Sequence, residues 1–189
     1  MSPLQTAATI KPVQFTAATG GLRNGEVTGV GEAFRERARL LAKGRYYEDF
    51  AVGDAFNHHW GRTVGEGDNS LFTTLTLHYN PNYFNKTYAQ NNGHPSLVVA
   101  PLLVFNVVFG LSVEDLSEAG GPFLGVDALK FASPVHIGDT LSASSVVVEK
   151  RLSSSRPEFG IVTWHTSGRN QDGQVVVDFR RTNLIRHRT

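Results

Sequence analysis

The chain has 189 residues, and 18 Lys and Arg against 17 Asp and Glu give a formal net charge of +1, which leaves no broad basic field for nucleic acid or an anionic membrane. At roughly 150 residues per domain, the length provides one domain with an appendage. With no cysteine, a disulfide scaffold, a thiolate nucleophile, an iron–sulfur cluster and a thiolate zinc site are excluded, while 40% apolar and 10% aromatic residues describe a globular chain.

Residues 1 to 29, rich in Ala, Thr and Gly, have no clear hydrophobic period and read as an arm. They lack the charged and continuously apolar regions of a secretion signal, so cytoplasm is the expected location. GEAFRERARLLAKG places Phe34, Ala38 and Leu41 at i, i+4 and i+7, which predicts an amphipathic helix from Glu32 to Lys43 that stops at Gly44. The division is therefore an arm and helix over 1–43 and a main domain over 44–189.

In the main domain a Gly53-Asp54 turn leads to an expected strand through HHWGRTV. Glu66 and Asp68 precede LFTTLTL as an acidic first turn, read chiefly as a helix cap. The segment His78 to Gly93 is polar, aromatic and broken by Asn-Pro, and reads as a loop with room for a turn of helix. The apolar run Leu97 to Val113 contains Pro101, Asn106 and Ser112, and it falls at the short end of the ~17 to 25 residues that cross a bilayer. It reads as a helix buried in the protein, with Pro101 in its first turn. After Gly120-Gly121-Pro122, four segments dense in β-branched and aromatic residues follow, the last two joined at Asp172-Gly173. The order implies an α+β fold, an antiparallel sheet around one helix.

Most local motifs fail. Gly29-Val30-Gly31 has no preceding strand and Phe34 stands at the third glycine position, which removes a dinucleotide site. Adjacent His58 and His59 face opposite sides of a strand and do not make a metal site, and no metal is expected. Neither GxSxG nor a P-loop occurs. Trp60, Phe105, Phe109 and Trp164 read as core or interface aromatics. The informative segment is HYNPNYFN, residues 78–85, where an imidazole and a phenol precede the most apolar helix. His78 has the chemistry of a base toward water and Tyr83 that of a donor toward a substrate carbon. The alternative is a capping loop whose His and Tyr bond only backbone.

The strings GRYYEDFAVGD, GRTVGEGDNSLFTTLT, SPVHIGDTL and SSSRPEFGIVTWHTSGRNQDGQVVVDFRRT resemble the MaoC-like dehydratases, especially the branch of mesaconyl-CoA and itaconyl-CoA hydratases, from Gly44 to the C-terminus. The resemblance implies a hotdog fold, a curved antiparallel sheet around the helix after Pro101. It also implies homodimers, or higher oligomers built from them, with a coenzyme A thioester in the interface cleft. No cofactor is implied beyond coenzyme A as part of the substrate. Such hydratases carry a loop Asp-x-Asn-Pro-x-His-x-Asp/Asn. Asn80, Pro81 and Asn85 match it here, while His78 stands at the Asp position and Tyr83 at the His position.

Three readings follow: a hydratase or dehydratase of an enoyl or hydroxyacyl thioester using His78, Tyr83 and Asn80; another enzyme in the same cleft, such as an isomerase or a dehydratase of a specialised pathway; or a non-catalytic thioester-binding protein. Under the first, Asn85 lies on the substrate side, and the backbone N–H groups of Val99 and Ala100 at the helix start polarise the thioester carbonyl. Arg156, with Arg151 and Lys150 behind it, is the candidate for the coenzyme A phosphates. Asn106, read as a buried amide in the apolar helix, is a candidate substrate contact.

Overall fold

The computed structural model describes residues 44–188; the arm and the helix expected over Glu32–Lys43 lie outside them. The domain begins with a 3-10 turn, Tyr47–Asp49. Next come strands β1 (Ala55–Asn57) and β2 (Arg62–Thr63) and helices α1 (Glu66–Thr76), α2 (Lys86–Asn91), α3 (Pro101–Leu111) and α4 (Val113–Leu116). Four long strands close the chain: β3 (Phe123–Phe131), β4 (Thr140–Leu152), β5 (Phe159–Arg169) and β6 (Val175–Arg186). This is the α+β order expected from the sequence.

The strands run β1-β4-β5-β6-β3, with β2 also on β4, and every pairing is antiparallel. Hairpins join β4 to β5 and β5 to β6. Gly173 takes φ 76° in the second turn, where the Asp-Gly pair placed it. In β4 the alternation is direct: Leu141, Ala143, Ser145 and Val147 are buried, while Ser142, Val146 and Val148 are exposed. The buried face forms the concave side on which α3 lies. Val104 and Val108 project from α3 into a cluster with Val135, Leu141, Ala143, Val176, Val177 and Phe179. Each of the two valines contributes about 1.5–3 kcal/mol by burial. The helix seats closely because β5 has no side chain at Gly168, where a Cβ would come within 2.6 Å of the Val108 Cγ2.

A second cluster of Phe50, Leu116, Val147, Val162, Trp164 and Ile185 fills the other end of the sheet. Between the two, the fully buried Arg181 guanidinium stacks on Phe109 and Trp164 and donates to the hydroxyls of Ser112 and Ser117. Burial lowers its pKa to about 10, so it stays charged at neutral pH, directed at the C-terminal end of α3 where carbonyl dipoles favour a cation.

Three expectations need correction. HHWGRTV is not one strand: His58 still bonds the Ala143 carbonyl of β4, His59 to Gly61 loop away from the sheet, and only Arg62–Thr63 pair again as β2. Trp60, carried on that loop, is 60% exposed in this chain, which removes the core half of its core-or-interface expectation. The helix after Pro101 is shorter and less enclosed than the apolar run: it stops at Leu111, and Leu102, Asn106 and Gly110 form an exposed stripe along it. The Asn106 amide is therefore not buried, and it donates to the Leu102 carbonyl four residues back. Among the described residues no helix is long and apolar enough to cross a membrane. At the edge of the sheet β3 exposes Phe123, Leu124, Leu129 and Phe131.

Candidate active site

Helix α1 begins as its carboxylates predict. Asp68 accepts from the Gly65 N–H at 2.9 Å and pairs with Arg62 at 2.7 Å, and the Gly65 bond leads in holding its carboxyl below the usual range. The helix ends at Leu77, which takes a left-handed conformation (φ 55°, ψ 29°) that a non-glycine residue adopts at a cost of roughly 1–2 kcal/mol. This reversal turns His78 out of α1, with its own N–H returned to the Thr73 carbonyl.

The next two turns are built by asparagines. Asn80 Oδ1 accepts from the Asn82 N–H at 3.0 Å and starts the 3-10 turn Pro81–Tyr83; Asn85 Oδ1 accepts from the Tyr88 N–H at 3.0 Å and caps α2. These bonds engage the Oδ1 of each residue in building the loop, and among the described residues neither Nδ2 has a partner. What the two caps position is Tyr83. Its ring is buried against Val98 and Ala100, with Phe72 and Leu103 packed on the cluster. The His78 ring meets it edge to face, centroids 5.1 Å apart at 73°. Among the described residues neither the His78 ring nor the Tyr83 hydroxyl has a hydrogen-bond partner. Burial raises the Tyr83 phenol above its usual value of 10, so it is a neutral donor at physiological pH.

A residue that sequence reasoning passed over ties this loop to α3. Asn69, 0% exposed, donates from Nδ2 to the carbonyls of Tyr83 (2.8 Å) and Val98 (3.0 Å), and its Oδ1 accepts from the Ala100 N–H (2.9 Å). That contact corrects the expected carbonyl-polarising pair. The Ala100 N–H is committed to Asn69 and the Val99 N–H to the Val135 carbonyl at 2.8 Å. Pro101 has no N–H, so the first uncommitted amide of the helix among the described residues is that of Leu102. Arg156, exposed in the β4–β5 turn, donates its N–H to Ser153 Oγ. The turn follows Leu152, at the end of β4 opposite Thr140, which pairs with β2.

Two clefts flank α3. One, of about 240 Å³, is almost wholly apolar and lies beside Val98, Val99, Pro101, Val104 and Phe131. The other, of about 430 Å³, runs between the Trp60 loop and the exposed stripe of α3, with Arg62, Leu103, Asn106 and Glu114 on its walls. The Trp60 loop is held by α4. His58 Nδ1 lies 2.7 Å from Asp115 Oδ2 and its Nε2 2.9 Å from Ser145 Oγ, while Trp60 Nε1 donates to Glu114 Oε2 at 3.0 Å. Asp115, His58 and Ser145 share the connectivity of a hydrolytic triad, yet Ser145 is 1% exposed and also bonded to Thr166 Oγ1, so no ester reaches it. Burial pushes the His58 imidazole below its usual range, with the Asp115 contacts opposing the shift. His59 points away from His58, toward Glu114. Among the described residues no cluster of three metal-ligating side chains occurs.

A family model described as mesaconyl-CoA hydratase matches residues 28–189. The chain belongs to the mesaconyl-CoA hydratase family. It is 41% identical over 158 residues to a mesaconyl-CoA hydratase of Haloarcula hispanica, an alignment covering 83% of this chain and 44% of that protein. It is also similar to the structure of a MaoC domain protein from Chloroflexus aurantiacus, with a TM-score of 0.75 and 33% identity over 80% of this chain and 43% of that one. A Mycobacterium tuberculosis protein described as a double hotdog fold matches with a TM-score of 0.69 and 22% identity, over 77% of this chain and 45% of that one, which bears on the fold alone. The hotdog architecture and the MaoC-like resemblance of the motif strings thus hold for this member of the mesaconyl-CoA hydratase family. The chain spans less than half the length of these relatives.

Proposed function

We propose that the protein is a hydro-lyase that adds water to, or removes it from, a short α,β-unsaturated acyl thioester of coenzyme A. The observation that carries the reading is the pairing of His78 and Tyr83 beside the start of α3, each with hydrogen-bonding capacity that no other described residue fills. In the hydration direction His78 takes a proton from water as the oxygen bonds to the β-carbon. The π electrons move toward the thioester oxygen, which the Leu102 N–H and the start of α3 stabilise. The α-carbon then receives the proton from the His78 imidazolium. Tyr83, held as a neutral phenol, orients the water by hydrogen bonding. Its raised pKa makes it a poor acid or base, and this leaves the hydrogen-bonding role. Coenzyme A enters only as part of the substrate, and the reaction belongs in the cytoplasm.

We propose that two copies of the chain pair along the exposed apolar edge of β3. The test of the hydro-lyase reading is incubation with a panel of branched and straight enoyl- and hydroxyacyl-CoA thioesters, followed by mass spectrometry for gain or loss of one water. His78→Ala is expected to abolish turnover, and Tyr83→Phe to lower kcat about 10²-fold. Unchanged turnover in His78→Ala removes the mechanism. Tight thioester binding without turnover would favour the binding-protein reading, for which the unfavourable phenol is the supporting observation.

A further inference from the structure

Two histidines that the proposed mechanism does not use face each other beside the linker into α3. His94, half-buried just after α2, presents Nδ1 3.3 Å from Nε2 of His136, half-buried in the turn between β3 and β4, with ring centroids 5.5 Å apart at 51°. The backbone around each ring joins the same two segments. Val98 and His136 form an antiparallel bridge, the Ile137 N–H donates to the Leu97 carbonyl at 3.2 Å, and the Val99 N–H donates to the Val135 carbonyl. The linker is also fastened to the Tyr83 turn: the Val98 N–H donates to the Asn82 carbonyl at 3.0 Å, and Asn92 Nδ2 donates to Asn82 Oδ1 at 3.0 Å. The imidazole contact thus sits on the stretch of chain that seats Tyr83 and leads into α3.

An N–H···N bond between two imidazoles needs a proton on one facing nitrogen and a lone pair on the other. The neutral pair meets this with complementary tautomers, and a pair holding one extra proton meets it with the imidazolium as donor. With two extra protons both facing nitrogens carry hydrogen, and two cations stand at hydrogen-bond distance. Burial leads in holding the His136 imidazole below its usual range; Asp139 opposes the shift and His94 adds to it. Asp139 is held at the backbone end of His136, where its carboxylate accepts from the His136 N–H at 2.8 Å and from Gln171 Nε2 at 2.9 Å. The geometry points to an acid-released clasp: the His94–His136 pair holds the linker against the β3–β4 turn until a second proton enters, and its release loosens the Asn82–Val98 contact that seats the Tyr83 turn. The device works on the order of the Tyr83 loop without touching His78, and it does not depend on the hydro-lyase reading.

Amide hydrogen exchange followed by NMR on the full chain, from pH 7.5 down to 5 and corrected for the intrinsic pH dependence of exchange, reads the clasp at the Val98 and Ile137 N–H groups. Below about pH 6.5 two released histidines would each carry a proton and the closed pair only one, so protection of both amides is expected to fall about tenfold per pH unit, the slope of one linked proton. That fall should exceed the one at amides paired between β5 and β6, which report global unfolding and carry the contribution of His58. In His94→Gln, whose side chain takes up no proton in this range, the excess is expected to vanish; His136→Gln is the second variant should the first not fold. An excess that survives in either variant, or no excess in the unaltered protein, overturns the proposal. Imidazole nitrogen shifts of the unaltered protein read it independently: the pair is expected to titrate in two separated steps, and a single step for both rings at the ordinary value of about 6.5 overturns it as well.

Discussion

Replacing Asn69 by Ala tests whether one side chain couples the His78 loop to α3. The substitution deletes three hydrogen bonds of 2.8–3.0 Å made by a fully buried amide. At about 1 kcal/mol net apiece these amount to about 3 kcal/mol, and the Ala100 N–H, on a residue with 0% exposure, is left without an acceptor, which adds about 1 kcal/mol or more. Urea unfolding at fixed protein concentration should therefore show a loss of about 4 kcal/mol with the slope unchanged, equivalent to a fall in Tm of about 8–16 °C. Asn69→Asp should be no better. It keeps the bond from Ala100 but sets a carboxylate oxygen against the Tyr83 and Val98 carbonyls, where the amide donated. A loss below about 1 kcal/mol for Asn69→Ala would refute the coupling, since water replacing three bonds at such a site has to fit a space with no exposure.

Two further outcomes follow from burial and close packing. The folded protein holds His58 neutral, its pKa depressed below 6.5, so its contribution to stability is present above that value and is lost as pH falls through the folded pKa. Unfolding midpoints measured from pH 7.5 down to 5 should decline in that window, and His58→Gln should flatten this part of the decline; an identical profile in the variant would reject the assignment. At Gly160 a Cβ would stand 2.0 Å from the Tyr47 ring, so Gly160→Ala should cost about 1–3 kcal/mol, and far less in a Tyr47→Ala background. Equal costs in both backgrounds would show that the ring is not the obstacle.

Local signals in the sequence were read correctly where the physics is local. The acidic turn of α1, Pro101 at the start of α3 and the Asp172-Gly173 hairpin are each specified by a few neighbouring residues, and all three stand where expected. Long-range partnerships were not readable. His58 meets a carboxylate 57 residues away and a serine 87 away, and Asn69 meets an amide 31 residues away; no spacing rule in a single sequence encodes such pairs. The helix-start amides were misassigned for the same reason, because the acceptor that occupies Ala100 comes from another helix. Asn106 was expected inside because apolar composition does not reveal which stripe of a helix a neighbouring loop leaves open, while Trp60 keeps only the interface half of its core-or-interface expectation. The chemistry of residues 78–85 was visible, but the hydrogen bonds that make Asn80 and Asn85 builders of the turn were not.

The left-handed Leu77 gives the loop a tension between durability and precision. Its side chain is 71% exposed, so packing within the chain returns little of the conformational cost. Glycine at this position would remove the steric penalty, at the expense of extra freedom in the unfolded chain, and a modest gain in stability is the expected balance. The same freedom would let the peptide before His78 sample several directions, with the imidazole no longer aimed at Tyr83. A directed-evolution campaign selecting only for heat resistance would be drawn to Leu77→Gly, whereas one selecting for turnover would keep the leucine.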